Sequence, residues 1–246
     1  MATDTDTRPT NPFIKQLAAN DRPTRDRAVN SLRTYLKRSA AFSDLDFLKL
    51  WKGLFYCMWM SDRARTQQRL AIDLADLLSI LSPENFVGFN AAFWRTMGRE
   101  WPGIDALRMD KFLFLIRQYV NKSFEYLRGQ KWEETLVERY LELLKEVPFN
   151  AKDPKIPNGL RYHVIDIYVD EVEKVDEKRK APMEVLVKPL RALGLESKTK
   201  AVRERVKEAL EDERLEEWGI EVKKKDEDED EDEEEAEEDG WGGFDD

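Results

Sequence analysis

Cysteine and histidine occur once each in the 246 residues, as Cys57 and His163. One thiol excludes a disulfide framework and a CxxC redox pair, and one imidazole beside it leaves no His/Cys metal set. No apolar stretch is long enough for a bilayer. The longest unbroken run is Leu54 to Met60, whereas a spanning helix needs roughly 20 residues. With 11 glycines the chain carries no GxxxxGK[ST] or GxGxxG phosphate loop, and HExxH and GxSxG are also absent. Acid pairs such as Asp44 with Asp46, or Glu133 with Glu134, are what a 37% charged chain produces, and helix N-termini favour them. His163 precedes an apolar helical stripe without a second His or a Cys beside it and reads as structural. These absences together point to a protein without catalytic activity, cofactor or bound metal. The N-terminal "MATDTDTRPTNPF" has no apolar core and contains acids, so it reads as neither signal nor transit peptide, and an intracellular chain is expected.

What is abundant is charge, and it is unevenly placed. The formal net charge is -10, yet residues 226–246 hold 15 acids and no Lys or Arg, leaving the remainder with 41 basic residues against 36 acidic. The body is therefore basic and the end acidic. A block of like charge cannot bury apolar surface and repels itself, so 218–246 is expected to be a disordered acidic arm. It would act as a solubilising segment, as a competitor for phosphate, or as a dock for basic proteins with Trp241 and Phe244 as apolar anchors.

From Asn11 to about Leu215 apolar residues recur every three to four positions, which predicts an all-α fold. Helices are expected near 12–19, 23–39, 44–60, 63–81, 83–99, 105–128, 131–146, 159–179, 182–193 and 198–217. Asn11-Pro12 and Ser82-Pro83 supply an N-cap followed by proline at the first helical position, Ser43 with Asp46 resembles a capping box, and Ser61-Asp62 is expected to cap the helix after it. "HVIDIYVD" has strand-like propensity, but Leu160, Val164, Ile167, Tyr168, Val172 and Val175 keep helical spacing beyond strand length. Short connections imply either an irregular HEAT- or armadillo-like solenoid or a multi-helix bundle. The domain reading is a disordered lead-in at 1–11, an N-terminal helical lobe at 12–147, a Pro-rich connector at 148–158 and a C-terminal helical lobe at 159–217.

The most apolar stretch is "LWKGLFYCMWMSDR". Phe47, Leu48, Trp51, Leu54, Phe55 and Met58 form one stripe, while Tyr56, Cys57, Trp59 and Met60 make the last turns apolar on every side. Such a helix is expected to be surrounded by neighbours, with Trp51, Phe55 and Trp59 as core anchors; an aromatic binding groove is the alternative. On "DRPTRDRAVNSLRTYLKRS", Val29, Leu32 and Leu36 turn inward and leave Arg27, Arg33, Lys37 and Arg38 on the flank. Arg65 and Arg69 are one turn apart further along. Residues 1–69 carry 13 Lys or Arg against 7 acids, an excess suited to holding phosphates. Those six residues form the candidate RNA or particle contact, against a solvated face with local pairs such as Arg69 with Asp73. Lys198, Lys200, Arg203, Arg205 and Lys207 read more simply as a salt-bridged exposed helix. "EKRKAP" and "VKKKDE" have the composition of nuclear import signals.

"FIKQLAANDRPTRDRAVNSLRTYLKR", "LKLWKGLFYCMWMSDR", "GIDALRMDKFLFLIRQYVNKSFEYLR" and "NGLRYHVIDIYVDEVEKV" together resemble the ribosomal RNA processing protein 1 family, collinearly from about Phe13 to Leu193. The resemblance implies a nucleolar, nuclear assembly factor of early pre-60S particles, needed for pre-rRNA processing and acting as a noncatalytic scaffold. Its implied partners are the pre-60S particle, pre-rRNA and other nucleolar assembly factors, without a membrane. Nothing from the family assigns contact residues, and nothing is carried over to 194–246. A helical adaptor that binds only proteins is the alternative.

Overall fold

The computed structural model describes residues 16–17, 21–37 and 41–222. Of the helix expected at 12–19 only Gln16 and Leu17 fall within that range, and both are helical. The lead-in 1–11, Arg38 and the acidic segment 226–246 lie outside the described residues.

The described residues form helices and no strand: α1 (Arg22–Leu36), α2 (Asp44–Trp59), α3 (Ala64–Ala75), α4 (Pro83–Glu100), α5 (Ala106–Gly129), α6 (Glu134–Glu146), α7 (Asn158–Val175), α8 (Met183–Leu186), α9 (Lys188–Glu196) and α10 (Lys200–Leu210). Short 3-10 turns follow α3, α4 and α10. Ser43 begins α2 with a full capping box to Asp46, and Ser82 accepts from the Asn85 amide ahead of Pro83 at the start of α4. "HVIDIYVD" lies inside α7. Helical spacing prevailed there because both faces of the segment are covered: Val164, Ile165, Ile167, Tyr168, Val169 and Val172 are all buried.

Three expected helices break. The 63–81 segment tightens into a 3-10 turn at Asp76–Ile80. The 182–193 segment divides at Val187, one residue before Lys188-Pro189 opens α9, since proline fits only a first turn. The 198–217 helix stops at Leu210, resumes as a 3-10 turn capped by Asp212, and ends at Gly219 with φ 79°, a left-handed conformation suited to glycine. Ser61 does not cap α3. Arg63 holds the cap position without a side-chain bond, while Ser61 is buried and its carbonyl accepts from Gln67 Nε2 and Lys111 Nζ.

The packing order defines the architecture. Helices two apart in sequence lie side by side, α2 on α4 on α6 in one layer and α3 on α5 on α7 in the other, and beyond the short α8 the step becomes three, α9 packing on α6 and α10 on α7. This is the arrangement of stacked helix pairs in an irregular α-solenoid. Within a layer, α2 and α4 approach closely at a glycine, where a Cβ added at Gly88 would stand 2.9 Å from Phe47 Cε2. Aromatic rings line the interior. Trp51 meets Phe89, Phe93 and Tyr119 with centroids at 5.1, 4.8 and 5.3 Å. Further along, Phe86 stacks on Tyr126, and Phe124 meets Tyr140 and Tyr168.

Polar groups close the remaining gaps. Arg161, buried, donates to the carbonyls of Asn150, Asp153 and Ile156 and so pins the Pro-rich segment before α7. Glu171, 2% exposed, is held by Arg117 at 2.6 Å, Asn121 at 2.9 Å and Lys174 at 2.6 Å. Arg214 ties the last 3-10 turn to Asp170 and Glu173 of α7.

Candidate nucleic-acid interface

Helix α1 starts at Asp21, whose carboxylate accepts from the Thr24 amide, and Pro23 fits the first turn. Its inner face buries Ala28, Val29, Leu32 and Leu36. One edge then faces α3 across a cleft of about 460 Å³ with Cys57 and Ser61 on its lining. Four arginines, Arg22, Arg25, Arg33 and Arg69, stand around this cleft against two carboxylates, Asp26 and Asp73.

The acids orient the guanidinium groups without saturating them. Arg22 Nε lies 3.3 Å from Asp26 Oδ2. Arg33 Nη2 donates to the Asp73 carbonyl at 3.2 Å and stands 3.5 Å from its Oδ1, and Arg69 Nε is 3.9 Å from Oδ2. These separations are long for charge-assisted bonds, and exposed pairs of this kind are worth roughly 0–1 kcal/mol. A guanidinium offers five N–H donors in a fork that matches phosphate oxygens, so Arg22, Arg33 and Arg69 keep donors for a ligand. The buried Ser61 hydroxyl has no hydrogen-bond partner among the described residues.

The six basic residues expected at the interface separate into groups. Arg33 and Arg69, from different helices, meet at Asp73, and the i, i+4 pair of Arg69 with Asp73 forms. Arg27 is exposed and donates to Thr24 Oγ1 at 3.0 Å, while Lys37 and Arg65 are exposed away from the cleft lining. Arg38 lies outside the described residues. Arg22 and Arg25 complete the cleft, although neither is among the six cations expected there. Their signal is the spacing: Arg22, Arg25 and Arg33 recur at three and eleven residues, close to whole helical turns.

Of the core anchors, Trp51 is fully buried and Phe55 is 2% exposed. Trp59 is only partly buried and carries the Arg108 guanidinium 4.8 Å above its ring. Helix α2 is not surrounded: Tyr56 and Met60 are 40% and 37% exposed, so its last turn opens to solvent. Lys111 closes its C-terminal end, the ammonium donating to Trp59 O at 2.7 Å and, just beyond the helix, to Ser61 O at 2.8 Å; burial lowers that lysine's pKa.

The remaining chemistry is quiet. Burial pushes the Cys57 thiol up to about 12, which removes the thiolate needed for reactivity. His163 Nε2 lies 2.9 Å from the Leu113 carbonyl, and burial lowers its pKa. No cluster of three or more His, Cys, Asp or Glu that could hold a metal occurs among the described residues, and no helix there is long and apolar enough to cross a membrane.

Comparison with known proteins places these features in context. The profile of a family described as "Nucleolar protein, Nop52" matches residues 8–241. Ribosomal RNA processing protein 1 homolog B of Homo sapiens is 43% identical over 173 residues, 68% of this chain and 23% of that protein. Homolog A of the same species is 41% identical over 169 residues, covering 66% and 36%. The Caenorhabditis elegans homolog is 33% identical over 181 residues, covering 72% and 45%. The chain thus aligns with less than half the length of each of these relatives.

Proposed function

Since the chain belongs to the Nop52 family of nucleolar proteins, we propose that it serves ribosomal RNA processing as a noncatalytic helical scaffold of the early large-subunit precursor, holding precursor rRNA phosphates in the α1/α3 cleft. The carrying observation is the convergence of Arg22, Arg25, Arg33 and Arg69 on one cleft whose carboxylates, among the described residues that line it, are Asp26 and Asp73. Phosphate contacts of this kind supply affinity and orientation rather than sequence choice. The stacked helical layers supply two long faces for other assembly factors, the usual use of a solenoid.

The test is crosslinking mass spectrometry on purified nucleolar precursor particles, with Arg22→Gln/Arg69→Gln as the matched variant. RNA-linked peptides from residues 22–37 and 63–73 are expected, and the variant should lose them while retaining its melting temperature. The log–log salt dependence of RNA binding should also flatten by about 0.7 to 0.9 for every phosphate that the variant no longer holds. Protein-linked peptides alone from these segments, with RNA binding unchanged, would favour the adaptor that contacts only proteins.

A further inference from the structure

The run Glu177–Lys180 has the composition of an import signal, but its loop is folded. Asp176, 3% exposed, accepts from the Ala181 amide at 2.6 Å and from Trp218 Nε1 at 2.9 Å. Arg179, at φ 52°, lies 4.3 Å over the Trp218 ring and pairs with Glu173 and Glu217. The middle cation is therefore committed to the fold. Lys178 and Lys180, on either side of it, are exposed and make no ion pair among the described residues.

Both lysines line a cavity of about 490 Å³ whose other wall is the α5/α6 turn, with Arg128, Lys131 and Trp132. Arg128 fixes the two walls together by donating to the Val175 carbonyl at 2.7 Å. The turn itself is unusual. Lys131 and Trp132 both have φ 57°, a left-handed conformation that residues with a Cβ rarely adopt, while nearby Gly129 remains helical. Trp132 N donates to Leu127 O at 2.8 Å, which locks the reversal. Strain of this sort persists where surrounding structure enforces it, and it concentrates at ligand sites. Here it brings an ammonium and a partly buried indole to the rim of a cavity large enough for a small ligand.

We propose that this cavity is a second RNA contact, distinct from the α1/α3 cleft, that takes one or two unpaired nucleotides of a single-stranded segment. The base stacks on Trp132 while Arg128, Lys131, Lys178 and Lys180 hold the flanking phosphates. Aromatic rings beside flexible cations are how proteins take single-stranded nucleic acid. An acidic peptide would satisfy the lysines but leave the indole without a use. The inference rests on the reading that the protein works on rRNA, and it adds the strand state that the RNA must have at this end.

The experiment uses the full chain, a labelled single-stranded RNA of about ten nucleotides, a duplex of the same composition and a polyglutamate peptide. Trp132→Leu keeps apolar bulk against the core, and Lys131→Gln/Lys178→Gln/Lys180→Gln changes only exposed positions. Expected results are single-strand affinity lowered roughly five-fold or more by Trp132→Leu, a salt slope in the lysine variant flattened by about 0.7 for every phosphate released, and photocrosslinks to the peptide containing Trp132. Unchanged single-strand affinity in both variants would overturn the proposal, as would duplex bound as tightly as single strand. Polyglutamate bound as tightly as RNA, with the same sensitivity to Trp132→Leu, would assign the cavity to acidic peptides. Loss of RNA in the Arg22/Arg69 variant alone would sink this inference and leave the cleft standing; RNA bound by neither site would sink the broader reading.

Discussion

Replacing Trp51 is the sharpest test of the aromatic packing, because its indole is fully buried among Phe89, Phe93 and Tyr119 and its Nε1–H has no partner among the described residues. Truncation of a large buried aromatic to Ala costs about 3–5 kcal/mol. Three ring contacts, each worth roughly 0.5–1.5 kcal/mol beyond area, place Trp51→Ala at the upper end of that range. The unpaired N–H works in the opposite direction, since a buried donor without an acceptor costs roughly 1–3 kcal/mol. Trp51→Phe removes that donor and keeps an aromatic ring, so its net cost should be only about 1–2 kcal/mol. Urea melts followed by far-UV circular dichroism measure both, with the midpoint shifting at constant slope. Trp59→Ala is the control: its half-open position beneath Arg108 predicts a loss under about 2 kcal/mol. A Trp51→Phe cost well above about 2 kcal/mol would refute the account of the orphaned indole N–H, and equal costs for Trp51→Phe and Trp51→Ala would refute the weight given to the ring contacts. Equal costs for Trp51→Ala and Trp59→Ala would refute the burial contrast.

Burial holds His163 below its ordinary 6.5, so the folded chain binds fewer protons than the unfolded one and stability must fall as pH drops through 6.5 and below. Because His163 is the only histidine, melts at about pH 7.5 and about pH 5.5 should show this decline in the wild type and much less of it in His163→Gln; equal declines would exclude the assignment. Gly88→Ala should lower the melting temperature by an amount corresponding to about 1–2 kcal/mol despite alanine's better helix propensity, because its Cβ would stand 2.9 Å from the buried Phe47 ring; an unchanged or raised melting temperature would show that the ring can give way. Deleting residues 226–246 changes the net charge from -10 to +5 and should tighten RNA binding at low salt, less so near physiological salt where the Debye length is roughly 8 Å; identical titration curves at low salt would remove any competition by that segment.

Much of the fold was legible in the sequence because its signals are local. Apolar spacing located the helices, and Ser43 with Asp46 and Ser82 with Pro83 marked two starts correctly. The failures have particular causes. Ser61 has the residue type of a cap, but Lys111, fifty positions away, draws it into the interior. Composition alone suggests that Tyr56 and Met60 are covered, and whether a neighbour reaches them depends on packing. In the candidate cleft, helical periodicity placed Arg33 and Arg69 outward, yet only tertiary structure could bring them together at Asp73. The α5/α6 cavity was out of reach for the same reason: Trp132 and Lys180 are separated by 48 residues of sequence, and left-handed backbone at Lys131 and Trp132 has no glycine to announce it.

The two rows of aromatic rings share helices α4 and α5, one row closing around Trp51 and the other reaching Tyr168. Bending the body between its ends would require these rings to part, so the α1/α3 cleft and the α5/α6 turn behave as fixed points on one stiff frame. Flexible RNA held at both would have to adopt the spacing that the protein dictates. Under the proposed RNA contacts the aromatic interior would act as a caliper: it would set a distance, and a strand too short or too tightly folded to span it would engage one jaw and be released.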